Sequence, residues 1–268
     1  MMSRIWWLGA CVVLACVAAW GLDSARAEDE KASEASTKAV SIPTKRGVAL
    51  EGVLHLPAKP TGTIVVIGSG RGYHKDLPFL KRTAEELQKV GVAALRFDWA
   101  YFTAKKQHAP DLSTELEDLE GALDFAKGVD GVKHVVLAGK SLGSVAAMMR
   151  VSTKHDDIAA LMLLTWPIHA PKKPGEVSPN TQGLQKGWDK PWLIACGDAD
   201  PYSELTPLYA LAGACTRAPR LVIAPGDHGF NGPNGHEDKP TTLANVNLAA
   251  HGIARWARLW AEGFAAAK

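Results

Sequence analysis

The sequence predicts an α/β fold: a mostly parallel sheet with helices on both faces and an N-terminal antiparallel hairpin. Apolar, β-branched runs alternate along the chain with longer stretches of helical periodicity, which is typical of a parallel sheet covered on both sides. The chain has 268 residues, of which 47% are hydrophobic and 22% are charged. This length and composition suit one large globular domain, and we expect it to occupy residues 40–268.

The first 27 residues are predicted to be a secretory signal peptide. Arg4 precedes an uncharged apolar run over residues 5–22, and Ala25-Arg26-Ala27 forms an A-x-A cleavage pattern. The predicted location is therefore secreted or periplasmic, with no membrane span left in the mature chain. Two alternatives stay open: an uncleaved membrane anchor formed by residues 5–22, and a lipoprotein signal that ends at Cys16. Both alternatives also place the folded domain outside the cytoplasm.

Residues 28–39 are expected to form a flexible leader, because Glu, Lys, Ala, Ser and Thr dominate them. Two short strands between Val40 and Pro57 flank a hairpin signal at Thr44–Gly47. The further predicted strands are 63–67, 92–97, 134–138, 158–164, 192–196 and 220–224. Apolar residues at helical spacing predict helices over 77–90, 113–127, 142–151, 204–214 and 243–264. The stretch 166–190, rich in Pro, Gly and Lys, is predicted to be irregular, and loops of this length are usually functional or mobile.

The charge balance excludes a nucleic-acid binder that works by neutralising phosphates. The 30 Lys and Arg residues against 28 Asp and Glu give a net charge of +2, and no long run of one sign occurs. Cys196 and Cys215 remain once the signal peptide is removed. The predicted topology puts them at opposite edges of the sheet, about 16 Å apart along a strand, so we expect no disulfide between them.

A candidate nucleophile lies in Gly139-Lys140-Ser141-Leu142-Gly143, between a predicted strand and a predicted helix. This G-x-S-x-G pattern is typical of a nucleophile elbow, in which a sharp turn exposes the serine hydroxyl. The amide of Leu142, at a helix N-terminus, is suited to stabilise an oxyanion. The letters Gly-Lys-Ser also occur in the Walker A loop, but that motif needs a glycine where this chain has His134, so a nucleotide site is rejected.

Candidate partners for a catalytic serine follow the last two predicted strands, 192–196 and 220–224. Asp198 and Asp200 come after the strand that ends at Cys196, and either carboxylate could orient a histidine. His228 follows the last predicted strand in a compact Gly-Asp-His-Gly setting, where it could act as general base. A metal site that combines Asp227-His228 with His236-Glu237-Asp238 lacks a recognised ligand spacing. We therefore expect neither a metal nor another cofactor.

The loop Gly68-Ser69-Gly70-Arg71-Gly72 follows the strand 63–67. It is not a dinucleotide-binding G-x-G-x-x-G motif, because position 73 is tyrosine. A loop in this place can lend a second backbone amide to an oxyanion, and Gly70 and Arg71 are the candidate donors. The Arg71 side chain could also meet an anionic group of a substrate, or it could simply be a solvated loop cation.

These stretches together resemble the α/β-hydrolase superfamily over residues 40–264. The resemblance is closest to the small, nearly lidless group related to dienelactone hydrolases. It is carried by five stretches: Leu95 to Tyr101, Gly139 to Gly143, Trp166 to His169, Gly197 to Pro201 and Gly226 to Phe230. The resemblance implies a catalytic triad of Ser141, Asp200 and His228, with oxyanion donors at Leu142 and in the loop near Gly70.

Two departures from the family pattern change what is expected. Many members carry His-Gly after the third strand, whereas this chain has Gly68-Ser69, so the second oxyanion donor is left open. Dienelactone hydrolases use a cysteine nucleophile, whereas position 141 is serine, so their lactone chemistry is not implied. Some relatives near this group act as binding modules.

The sequence therefore predicts a secreted serine hydrolase that cleaves a small-molecule ester or thioester through an acyl-enzyme. The stretch 166–190, where this fold places its lid, is short, so we expect an open cleft. Trp99, Tyr101, Trp166 and Trp188 are candidates to line that cleft, although core packing is the alternative for each of them. The alternative function is a non-catalytic binding module of the cell envelope. A peptidase or an acyltransferase with the same triad also stays open.

Overall fold

The computed structural model describes residues 34–178, 181, 184, 187–235 and 238–267. The predicted signal peptide, 1–27, and residues 28–33 of the predicted leader lie outside them. Among the described helices, none is both long enough and apolar enough to cross a bilayer.

One mixed sheet organises the fold. Its strands are β1 (Ser36–Pro43), β2 (Ala49–Leu56), β3 (Thr63–Gly68), β4 (Ala93–Phe97), β5 (His134–Lys140), β6 (Ala160–Leu164), β7 (Trp192–Gly197) and β8 (Arg220–Ala224). They lie in the order β1-β2-β4-β3-β5-β6-β7-β8. The pairs β1–β2 and β2–β4 are antiparallel, and every later pair is parallel. The predicted fold class, a mostly parallel sheet opened by an antiparallel hairpin, is confirmed.

Helices cover both faces of the sheet. They are α1 (Pro78–Lys89), α2 (Ala100–Thr103), α3 (Ser113–Lys127), α4 (Leu142–Thr153), α5 (Leu205–Ala214) and α6 (Lys239–Ala266). Strand β3 shows why its sequence is apolar throughout. Ile64 and Val66 face one core, whereas Val65 and Ile67 face the other, because successive side chains point to opposite faces. Helices α1 and α6 pack over the second core, and α3 and α4 pack over the first.

Two elements begin earlier than the sequence pattern predicts. Strand β1 begins at Ser36, inside the stretch predicted as leader, because its backbone pairs with β2 although most of its side chains are exposed. Helix α6 begins at Lys239 instead of residue 243. The Asp238 carboxylate accepts the backbone N–H of Thr241 at 3.2 Å and so caps the helix before its apolar periodicity starts.

The parallel strands bring their carboxyl ends to one edge of the sheet. Gly68 at the end of β3 pairs with Gly139 of β5, and Gly197 at the end of β7 pairs with Ala224 of β8. The loops that follow these strands therefore meet at this edge. Cys196, which is buried in β7, and Cys215, which follows α5, are both free thiols.

Candidate active site

Ser141 occupies a strained turn between β5 and α4. Its backbone has φ 52° and ψ −113°, outside the regions that non-glycine residues favour. Its carbonyl oxygen accepts the N–H groups of Ser144 and Val145, and its own N–H donates to the carbonyl of Leu164. A Cβ on Gly143 would lie 2.4 Å from the carbonyl oxygen of Gly68, so the tight turn requires glycine there. This is the geometry of a nucleophile elbow.

The structure brings Ser141, His228 and Asp200 together. His228 Nε2 lies 3.0 Å from Ser141 Oγ, and His228 Nδ1 lies 3.0 and 2.9 Å from the two Asp200 carboxylate oxygens. The Asp200 side chain is fully buried, and its Oδ1 also accepts the N–H of Tyr202 at 2.9 Å. One ring nitrogen of His228 thus faces the serine hydroxyl, and the other faces a carboxylate. This arrangement suits proton transfer from serine to histidine.

The other candidate carboxylate serves a different purpose. Asp198 is exposed, and its Oδ1 accepts the backbone N–H of Gly226 at 2.9 Å. It therefore fixes the turn that follows β8. Of the two aspartates that the sequence left open, the structure places Asp200 on His228.

Asp227 and Lys140 hold the loop that presents His228. The Asp227 carboxylate accepts the N–H groups of Gly229 and Asn231 at 2.7 and 3.0 Å, closing a tight turn around the histidine. From below, Lys140 Nζ donates to the carbonyl oxygen of His228 at 3.2 Å. These contacts restrict the position of the imidazole relative to Ser141.

Lys140 is a buried cation that sequence reasoning missed. It is only 1% exposed, although it lies between the two glycines that mark the elbow. Burial lowers the pKa of Lys140 to about 8, although the nearby carboxylates of Asp200 and Asp227 oppose this shift. The sequence feature that could have indicated this burial is a lysine at the end of an otherwise apolar strand, because neighbouring positions of such a strand are buried.

Replacing Lys140 with methionine is expected to remove a pH dependence of stability. Between about pH 8 and 10.5 the unfolded chain keeps the lysine proton that the folded chain has released, so stability rises with pH there and falls as pH drops through this window. The shift corresponds to at most about 3 kcal/mol. We would measure the free energy of unfolding by denaturant for both proteins across this range. Their difference should change with pH, and parallel curves would contradict the assignment.

The candidate oxyanion donors flank Ser141. Leu142 is the first residue of α4, where the backbone N–H has no helical acceptor. On the other side, a Cβ placed on Gly70 would lie 3.5 Å from the Ser141 Cβ, so this loop approaches the serine closely. Arg71 is exposed and borders a cleft next to this loop. The structure therefore brings Leu142 and Gly70 to Ser141, whereas Arg71 borders the cleft.

The prediction that tryptophans line an open cleft is wrong for Trp99, Trp166 and Trp188. All three side chains are buried in the core, at 0%, 1% and 3% exposure. Trp99 turns inward because Gly68 leaves room for its ring, and its Nε1 donates to the carbonyl oxygen of Ser69 at 2.8 Å. It therefore supports the loop next to Ser141 from beneath.

Of the aromatic candidates, Tyr101 does reach a cleft. Its side chain is half-buried, and its hydroxyl accepts the N–H of Gly72 at 3.4 Å. Burial raises the pKa of Tyr101. A separate cavity of about 260 Å³ is bordered by Tyr73, Lys140 and His228.

Within the residues that the structure describes, no three His, Cys, Asp or Glu side chains form a group that could hold a metal ion. His236 and Glu237, which belong to the metal alternative considered from the sequence, lie outside those residues.

Comparison with known proteins gives a consistent assignment. Residues 61–258 match the α/β-hydrolase domain family. The fold is similar to that of Est1E from Butyrivibrio proteoclasticus, with a TM-score of 0.65 and 21% identity over 83% of this chain and 98% of that one. It is also similar to a dienelactone hydrolase from Anabaena variabilis, with a TM-score of 0.61 and 22% identity over 85% and 97% of the two chains.

A third similar structure is a lidless serine hydrolase, XC6422 from Xanthomonas campestris, with a TM-score of 0.59 and 18% identity over 82% of this chain and 95% of that one. At these identities the likeness concerns the fold. No curated protein matches the sequence of this chain.

Proposed function

Because this chain belongs to the α/β-hydrolase domain family, we propose that it is a serine hydrolase that cleaves a small-molecule ester or thioester. The observation that carries the proposal is the continuous hydrogen-bonded series from Ser141 Oγ through the His228 ring to the Asp200 carboxylate. A solvated histidine or an ordinary Gly/Ser turn would not require this alignment of three chain-distant residues. The strained backbone at Ser141 further supports a functional role.

The proposed mechanism uses the three side chains in succession. The Ser141 hydroxyl attacks the carbonyl carbon of the substrate while His228 Nε2 takes its proton. Buried Asp200 holds the imidazole through Nδ1 and stabilises the imidazolium that forms. The C–O or C–S bond to the leaving group breaks as His228 returns the proton to that group. Water then attacks the acyl-enzyme with His228 again as base, which releases the acid and restores Ser141.

The oxyanion of each tetrahedral intermediate would bind at the N-terminus of α4. The amide of Leu142 is one proposed donor, and an amide of the loop at Gly70 is the other. The site accounts for these steps with the side chains and amides of this chain. The predicted signal peptide supports a further part of the proposal, namely that the enzyme acts outside the cytoplasm.

The two aspartates after β7 provide a matched test of this mechanism. Replacing Asp200 with asparagine should lower kcat for a short-chain 4-nitrophenyl ester by about 10³- to 10⁴-fold, because the amide would favour the wrong tautomer of His228. Replacing Asp198 with asparagine alters a turn contact two residues away and should change kcat by less than about tenfold. Both variants should unfold at similar denaturant concentrations. Equal losses of kcat in the two variants would contradict the role assigned to Asp200.

A further inference from the structure

A cleft of about 770 Å³ opens next to the loop that follows β3. Arg71 and Tyr101 border it on the side of that loop. Lys105, Lys106 and His108, which follow α2, border it as well. The cleft thus combines aromatic surface with three cationic side chains.

The cations of the cleft form no ion pair, whereas its two acids share one ammonium. In the part of the chain that the structure describes, Arg71, Lys105 and Lys106 form no ion pair. The acids that border the cleft are Asp98 and Glu51, and they share one ammonium, because Lys75 Nζ lies 2.7 Å from Asp98 and 3.4 Å from Glu51. One carboxylate charge is left uncompensated against three cations, so the remaining potential in the cleft is positive.

The loop after β3 links the cleft to Ser141. Strands β3 and β4 lie on one side of β5 in the sheet, whereas β7 and β8, which carry Asp200 and His228, lie on the other. The loop after β3 contacts both the nucleophile and the cleft. Gly70 closely approaches Ser141, and the N–H of Gly72 donates to the hydroxyl of Tyr101 in the cleft. Arg71, the chain neighbour of Gly70, therefore lies close enough to Ser141 for one short substrate to reach both.

We propose that this cleft binds the non-reacting end of the substrate and that this end carries an anionic oxyacid group, with a carboxylate as the simplest case. This inference rests on the proposed function, since it names the substrate class of the same site. The Arg71 guanidinium can bind such a group through two parallel hydrogen bonds, and the two lysines strengthen the attraction over a longer range. The rings of Tyr101 and His108, 5.9 Å apart, supply surface for the carbon skeleton.

Two esters of equal chain length test the charge preference. We would measure kcat/KM for mono-4-nitrophenyl glutarate, which carries a carboxylate, and for 4-nitrophenyl pentanoate, which does not. The ratio of the two values removes general effects on catalysis. In a variant with Arg71, Lys105 and Lys106 all replaced by glutamine, the ratio should fall about tenfold or more. Replacing Lys38, an exposed lysine of β1, with glutamine should leave the ratio unchanged.

Salt provides a second measurement on the same proteins. Raising the salt from about 0.05 to 0.5 M should lower the ratio for the parent protein and the Lys38 variant, because ions screen attraction between exposed charges. It should leave the ratio of the triple variant nearly constant. Inhibition by glutarate and by inorganic phosphate then distinguishes a carboxylate preference from a phosphate preference.

Binding of glutarate to the Ser141→Ala variant separates this inference from the proposed function. If the cleft binds anions, the dissociation constant measured by NMR titration should rise about tenfold when the three cations are also removed. Hydrolysis of both esters with a ratio that neither the triple variant nor salt changes would overturn the inference and leave the proposed function standing. Charge-dependent glutarate binding without hydrolysis of either ester would overturn the proposed function instead.

Discussion

Replacing Ser141 with alanine is expected to lower kcat/KM for a short-chain ester by about 10⁴- to 10⁶-fold, the largest effect on activity that any single change in this chain should have. The hydroxyl is the proposed nucleophile, and it is the group that His228 Nε2 contacts, at 3.0 Å. The fold should not suffer, because the Oγ contact is with the half-buried His228 ring and the backbone conformation remains. Ester hydrolysis and the free energy of unfolding would be measured together.

The double variant sharpens this prediction. If Ser141 and His228 act as one unit, replacing both with alanine should cost no more activity than replacing Ser141 alone. Independent contributions would instead multiply. A Ser141→Ala protein that is folded and keeps more than about a hundredth of the parent activity would show that the hydrolysis arises elsewhere.

Replacing Gly197 with alanine is expected to lower stability strongly. A Cβ there would lie 2.1 Å from the carbonyl oxygen of Gly226 and 2.4 Å from that of Asp227, both in the backbone of the loop that carries His228. Backbone atoms cannot yield as a flexible side chain can, so the end of β7 or this loop must move. We expect a loss of about 3–5 kcal/mol in the free energy of unfolding. In a domain of this size that corresponds to a fall of about 10 °C in Tm.

Gly213 offers a matched control for this substitution. It lies within helix α5, and a Cβ there meets nothing within 4 Å. Its replacement by alanine should change the free energy of unfolding by less than about 1 kcal/mol and in the stabilising direction, because alanine favours the helix. Similar Tm values for Gly197→Ala and Gly213→Ala would contradict the packing described for the loop after β8.

The sequence could locate the site because the order of strands and the residues directly after them were sufficient to predict it. Strands that read as continuous apolar runs predict a parallel sheet, and the carboxyl ends of such strands share one edge. Polar residues directly after those strands, such as Ser141 and His228, were therefore expected to meet. The hydrogen bonds between them are observed, and their catalytic use remains the proposal.

The features that the sequence did not predict depend on contacts between distant parts of the chain. Trp99 follows a strand and was expected in the cleft, but whether its ring turns inward depends on the space at Gly68 in another strand. The burial of Lys140 likewise depends on the loop of His228, some 88 residues away, which supplies its acceptor. No periodicity or motif in the sequence reports such packing. The choice of Asp200 over Asp198, by contrast, came from the family resemblance and agrees with the observed contact to His228.

The most direct test of the central claim, an activated serine at position 141, is reaction of the purified protein with a fluorophosphonate. Such a probe phosphonylates a serine only where a base and an oxyanion site activate its hydroxyl. Mass spectrometry of the digested protein should locate one adduct, on Ser141, and Asp200→Asn should slow its formation sharply. A folded protein that forms no adduct, or one that is modified at another residue, would contradict the account. A binding module built on a hydrolase fold would then explain the chain better.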